Sequence, residues 1–353
     1  MEWPALIELA PQVFPRDVIE RAKELSREIG SVGAYSHSQG VPFIRQSVAK
    51  FIEERDGFPS DPSHIFLTAG ASAGVSLLIN ALITSPKSGI LIPIPQYPLY
   101  TASLAQHQGL PIPYYLDESK GWSTSVSSIE AALEEAHKEG IAPKGLVIIN
   151  PGNPTGAVLD EETQEKLVHL YEVYQDNLHR RDSLPFTSFK KVVSKLQSHV
   201  PLVSFHSISK GVSGECGRRG GYFECTNFSD DVVALLYKMV SVTLCPPLTG
   251  QIGVNCMVRP PKLGEESYEL WKKETDTIHA SLASRTQTMA ERLNSLPGVS
   301  CVDSPGALYL FPQISISKKA REAAQAVGQH PDEIGFGQKE GEWHYRLTCL
   351  CPV

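Results

Sequence analysis

Four short apolar runs limit what this chain can fold into. They are IFLT (65–68), GILIPI (89–94), GLVIIN (145–150) and the LVSFHSIS part of 201–209, and each ends in turn-forming or polar residues. Continuous apolar runs of this length are the pattern of strands buried on both faces. Between them lie stretches with helical spacing. Residues 16–29 repeat Val18, Ile19, Ala22, Leu25 and Ile29, and further helices are predicted at about 43–54, 127–139 and from 160. The 127–139 helix is expected to open on Ser127 with Glu130 in capping-box position. GGYFEC (220–225) reads as one more strand. Strands alternating with helices predict an α/β fold, a mostly parallel sheet covered by helices on both faces. Such folds collect their working residues at the carboxyl ends of the strands.

Helices are predicted at 229–244 and 264–296, the second long and amphipathic, so that it leads into another unit. ALYLFP (307–312) and HYRLTCL (344–350) read as strands of that smaller α/β unit. The expected division is an N-terminal helix and loop segment (1–42), a large domain (43–262) and a small C-terminal domain (263–353).

Composition narrows the class. The chain has 353 residues, of which 41% are hydrophobic and 20% charged, enough to bury a sizeable core. Its formal net charge of −7 argues against a nucleic-acid partner, which calls for a basic face. No run approaches the ~18 apolar residues of a membrane span. The seven cysteines form no C-x-x-C pair and no metal-type spacing, and read as reduced thiols. MEWPALIELAPQVFP lacks the basic start and apolar stretch of a signal peptide, so a cytoplasmic setting is expected.

Two of the strands end in unusual sequences. GLVIIN runs into PGNPTG, and PLVSFHSIS runs into Lys210, with GVSGECGRRGGY behind it. A third, IFLT, passes through AGAS into an apolar helix, and a helix N-terminus offers free N–H groups to an anion. Taken singly, each has an ordinary reading: a βα turn, a surface lysine, a solvated arginine.

Together, in this order, NPGNPTG, S-x-S-K and G-x-R-x-G resemble the fold-type I, pyridoxal-phosphate-dependent aminotransferases of class I/II. GAYSHSQGV, LTAGAS, IPIPQYPLY, EVYQDN, SFHSISK, GECGRRGGY, LCPPLTGQ and GFGQKEG resemble the alanine aminotransferase branch. The resemblance runs from about residue 15 to the C-terminus. It implies that Lys210 forms the Schiff base with the aldehyde of pyridoxal 5′-phosphate and moves the substrate proton. Ser207, Ser209 and Arg219 would hold the phosphate, with backbone N–H groups of Ala71 and Ser72. Arg218 reads as solvated. Tyr97 would stack on the pyridine, with a core tyrosine as the ordinary reading. Asn153 and Tyr174 would hydrogen-bond the cofactor's O3′, and Asn153 would also help place the substrate carboxylate. Tyr35 would reach the phosphate of the neighbouring subunit in a homodimer. Arg346 would pair with the substrate α-carboxylate in bidentate fashion.

The implied reaction is ping-pong exchange of an amino group between L-alanine and 2-oxoglutarate, giving pyruvate and L-glutamate. Another amino-acid substrate, a fold-type I lyase, or a weak or inactive cofactor-binding homologue are the alternatives. The last rests on departures from the family pattern. The family's aspartate three residues before the tyrosine matching Tyr174 is replaced by Tyr171. A strand before it is missing, as are a helix and strand before GFGQ, and both ends fall short of the family's. The small domain is therefore expected to be truncated, and the internal gaps look like skipped or mis-joined coding segments.

Overall fold

The computed structural model describes residues 10–168, 186–211, 213–327 and 342–349. The N-terminal part carries α1 (Arg16–Ile29) and α2 (Pro42–Asp56), and the layered part begins with β1 (Ile65–Thr68) and α3 (Ala71–Leu82). There follow β2 (Ser88–Ile94), α4 (Leu99–Gln106), β3 (Leu110–Tyr115), α5 (Val126–Lys138), β4 (Ala142–Leu146) and α6 (Glu161–Lys166). Then come α7 (Phe189–Lys195), β5 (Leu202–Ser207), β6 (Gly221–Thr226), α8 (Asp230–Ser241) and α9 (Leu248–Val258). After α10 (Tyr268–Asn294) the elements are short: β7 (Val299–Ser300), β8 (Tyr309–Leu310), β9 (Gln313–Ser315), α11 (Lys318–Ala326), β10 (Glu342–His344) and β11 (Leu347–Thr348).

The strands join as predicted in kind. β3, β2 and β4 form a parallel sheet in that order. β1 and β5 flank β6, which runs antiparallel to both, so β1 and β5 are parallel to each other. Side chains on β2 alternate between two layers, as the two-residue period of a strand requires. Leu91 packs with Ile129 of α5 and Val192 of α7, whereas Ile90 and Ile92 pack with Val75 and Leu78 of α3, Leu104 of α4 and Leu236 of α8. Leu202 of β5 joins the first layer, and Val203 and Phe205 join the second. Helices therefore cover both faces. A third cluster seats α2 and α9 on Ile65, Leu67 and Tyr222.

Three local expectations need correction. Helix α5 opens one residue early, at Val126, and its N-cap Ser125 makes no side-chain cap bond. The hydroxyls of Ser125 and Ser127 meet each other at 2.7 Å instead, so the Ser127–Glu130 capping box does not form. ALYLFP gives only the two-residue β8. HYRLTCL breaks at Tyr345–Arg346, because β10 pairs with β9 while β11 pairs with β8. Among the described residues no helix is long and apolar enough to cross a membrane.

Candidate active site

An anion cradle forms where three chain segments meet. Gly70, at φ +81°, is the N-cap of α3 and has no side chain to offer the helix. The first-turn N–H groups at Ala71 and Ser72 therefore gain no acceptor from it. Arg219 sits in the left-handed region at φ 55°, which turns its side chain back onto this turn. Its Nη2 donates to the Ala69 carbonyl at 2.9 Å and to Ser72 Oγ at 3.1 Å. A Cβ on Gly70 would fall 2.3 Å from that Nη2, so a side chain there would push the guanidinium off this turn, and φ +81° itself favours glycine. On the other side, Ser207 Oγ lies 2.9 Å from Ser209 Oγ and accepts the Ser209 N–H at 3.1 Å. Gly221 of β6 pairs with Thr68 on one side and Ser207 on the other, which brings the segments together. A guanidinium, two hydroxyls and a helix N-terminus form a donor set suited to a phosphate.

Lys210 follows directly on this cradle. Its Nζ donates to the hydroxyl of Tyr309 at 2.9 Å. Arg346 approaches the same tyrosine from another side, with its Cζ 4.7 Å from the ring centroid. The pairing of β8 with β11 explains this meeting, since Thr348 stands opposite Tyr309 and Arg346 immediately precedes β11. Arg346 Nη1 also donates to Oδ1 of the buried Asn153 at 3.1 Å. The PGNPTG loop closes through the Gly152 N–H to the Ala157 carbonyl (2.8 Å). It is tied to the segment before β8 by the Gly306 N–H donating to the Gly156 carbonyl (3.1 Å). Lys210, Arg346 and Asn153, far apart in sequence, thus line one place.

The remaining expected residues are distributed differently. Arg218 pairs with Glu215 and is exposed, in keeping with a solvated role. Tyr97 is 41% exposed, so it is not a core tyrosine. Tyr35 is 83% exposed and is not drawn into its own chain's cradle. Its loop is nevertheless anchored. The buried Gln251 of α9 accepts the Val41 N–H at 2.9 Å and donates to Ser36 Oγ at 3.0 Å and to the Pro246 carbonyl at 2.8 Å. Nearby His37 accepts the Gln39 N–H at Nδ1 (3.2 Å) and stacks on Tyr237. Burial, and then the charge of Arg45, lower the His37 pKa. Tyr174 and Tyr171 lie outside the described residues. Tyr309 was missed by the sequence reading: ALYLFP signalled a strand, and nothing in its spacing pairs position 309 with 210.

The class I and II aminotransferase family model matches residues 9–331. The chain belongs to that family. It is 46% identical to the probable mitochondrial alanine aminotransferase of Dictyostelium discoideum, an alignment covering 99% of this chain and 72% of that protein. That alignment spans 383 positions, 30 more than this chain has residues, so the relative carries residues here without counterparts. A protein of Saccharomyces cerevisiae named inactive alanine aminotransferase is 43% identical, over 100% of this chain and 77% of its own. Among solved structures, the fold matches an alanine aminotransferase from Pyrococcus furiosus with a TM-score of 0.74 at 23% identity, covering 95% of this chain and 84% of that one.

Proposed function

We propose that this aminotransferase depends on pyridoxal phosphate and moves an amino group between L-alanine and 2-oxoglutarate. The observation that carries the reading is the convergence of Lys210 and Arg346 on Tyr309, with Asn153 on the arginine. An amine and a carboxylate-binding fork side by side are what an α-amino acid needs. The cradle beside Lys210 fits the cofactor's phosphate: Arg219, Ser207, Ser209 and the N–H groups of Ala71 and Ser72 would hold it. Bound there, the cofactor would supply a carbonyl for the amino group and a ring that accepts electrons from Cα. Lys210 holds and moves the proton at Nζ. Arg346 takes the α-carboxylate through its forked donors, and Asn153 fixes the fork. Tyr97 would cover the cofactor ring, and Tyr174 would donate to it.

The exposure of Tyr35 on an anchored loop supports a homodimer in which it serves the partner's phosphate. The same reading divides the chain at 42/43 and 262/263, supported by the 27-residue α10 at the second boundary. The cysteines among the described residues are free, which suits a reducing compartment such as the cytosol. The choice of alanine rests on the 46% identical relative.

One observation favours a second reading, a cofactor-binding homologue with little activity. Tyr171 stands where the family resemblance calls for an aspartate against the pyridine nitrogen. Losing that charge partner would cost on the order of 3–5 kcal/mol, or roughly 10²–10⁴-fold in rate. The test is visible absorbance of the purified chain with pyridoxal phosphate, then with L-alanine, alongside a coupled assay for pyruvate. A cofactor band absent in Lys210→Ala, shifted by L-alanine and accompanied by pyruvate, is the expected result. A band that no amino acid shifts selects the second reading, and no band at all rejects both.

A further inference from the structure

Tyr309 is the side chain on which the two ends of the substrate site meet. Its hydroxyl accepts from Lys210 Nζ at 2.9 Å, and its ring face lies under the Arg346 guanidinium at 4.7 Å. The residue is buried, packed with Leu282, Ala307 and Leu308, and its strand is paired to the one that follows Arg346. Ala307, two residues before it, is held at φ 61°, a region a non-glycine residue adopts only when its surroundings fix it. The ring is therefore held from behind. Its hydroxyl accepts from the amine, which lies 5.7 Å from the ring centroid, while the guanidinium lies closer over the ring, at 4.7 Å.

We propose that Tyr309 is a positioning residue that couples amine and carboxylate recognition, its hydroxyl orienting Lys210 and its ring orienting Arg346. The inference rests on the functional reading above but is tested separately from it. A planar guanidinium lying on an aromatic face keeps its edge donors free, so the stacking leaves the fork available to Asn153 and to a carboxylate. A hydroxyl at hydrogen-bond distance holds a flexible four-carbon lysine at one place without adding charge.

Two variants separate the contributions. Tyr309→Phe removes the hydroxyl and keeps the ring, while Tyr309→Leu removes both. The first readout is the rate at which Lys210 is labelled by pyridoxal phosphate and borohydride, followed by peptide mass spectrometry. The second is the dissociation constant of propionate, a carboxylate without an amino group, by calorimetry on the full chain. Tyr309→Phe should slow Lys210 labelling about 2- to 10-fold, the range of one hydrogen bond, with propionate affinity within 2-fold of the parent. Tyr309→Leu, which also removes the ring 5.7 Å from Lys210 Nζ, should slow labelling at least as much and weaken propionate about 2- to 30-fold, the range of a cation–π contact. Circular dichroism and Tm confirm that both variants fold, and Tyr309→Trp, which restores a cation-binding face, should recover propionate affinity relative to Leu. Equal propionate affinity in the Phe and Leu variants, or unchanged labelling in both, would overturn the proposal. Neither readout needs turnover. An inactive parent that binds propionate with this split would fail the functional reading yet uphold the coupling.

Discussion

Gly221→Ala puts the placement of the phosphate cradle under direct stress. A Cβ at this position would lie 2.8 Å from the Ala71 nitrogen, 2.9 Å from the Gly70 carbonyl carbon and 2.9 Å from the His206 carbonyl oxygen. All three are backbone atoms, and none can swing aside as a side-chain end would. Ordinary contact begins near 3.4 Å, so β6 must part from its neighbours by about half an ångström. Gly221 is paired to Thr68 and Ser207 at once, so that movement separates the α3 N-terminus from Ser207. Overpacking of this kind costs about 1–3 kcal/mol in stability. Loss of one charge-assisted hydrogen bond to the phosphate costs about 1.5–3 kcal/mol more, or roughly 10- to 150-fold in cofactor affinity. The assay is a titration of visible absorbance with pyridoxal phosphate, with Tm measured on the same samples. Gly217→Ala is the control, because a Cβ there meets nothing within 4 Å, and it should match the parent. A Gly221→Ala chain that binds the cofactor as tightly as Gly217→Ala, at a lowered Tm, would falsify the placement of the cradle while leaving the close approach intact. An unchanged Tm would refute the close approach itself.

Other perturbations test other joints of the fold. Lys190 and Glu224 form an ion pair with both side chains buried, and Ser60 Oγ donates to the same carboxylate. Lys190→Met should destabilise by about 3–5 kcal/mol in denaturant unfolding, and adding Glu224→Gln should recover most of that loss, since an unpaired buried charge is what makes the single variant costly. Asp160 caps α6 by accepting the Thr163 N–H at 2.7 Å, so Asp160→Ala should lose about 1 kcal/mol and Asp160→Ser much less, read from the denaturant midpoint. His344 meets Glu118 at 2.7 Å and stacks on Phe311, pinning β10 just ahead of Arg346. His344→Leu should therefore raise KM for the amino acid more than it lowers kcat, whereas equal losses in both would reject this pinning. The His37 pKa is lowered by burial and Arg45, so the folded chain binds this proton less readily than the unfolded one. Its stabilising effect is complete above pH ~6.5 and fades as the pH falls through and below that value. His37→Asn should flatten the Tm profile between pH 7 and 5, and a profile parallel to the parent's would contradict the assignment.

What could be read in the sequence was what depends on neighbours along the chain. The apolar runs gave β1, β2 and β5, because a buried strand needs only its own side chains to declare itself, whereas GLVIIN shares only Gly145 and Leu146 with β4, which begins earlier at Ala142. Lys210, Ser207 and Ser209 were grouped by likeness to a family, and they also lie together at the end of one strand. The order of strands in the sheet could not be read. Gly221 lies between Thr68 and Ser207 only because β6 runs back between β1 and β5, and a six-residue run carries no mark of its partners. Tyr309 illustrates the same limit at the site. Its value comes from Lys210, 99 residues away, and from an arginine on the segment that leads into the paired strand. Even the assignment of Arg346 came from likeness to a family rather than from its spacing. The capping-box error has the opposite origin, since Ser127 and Glu130 fit the local rule. The helix starts one residue earlier than the rule places it, at Val126, so Ser127 lies inside it and its hydroxyl meets that of the N-cap Ser125. Local rules thus fail here in two distinct ways: by a shifted helix start, as at Ser127, or by a distant partner, as at Tyr309. Only the distant partner brings functional groups together, which is why the further residue of this site was found in the fold and not in the motifs.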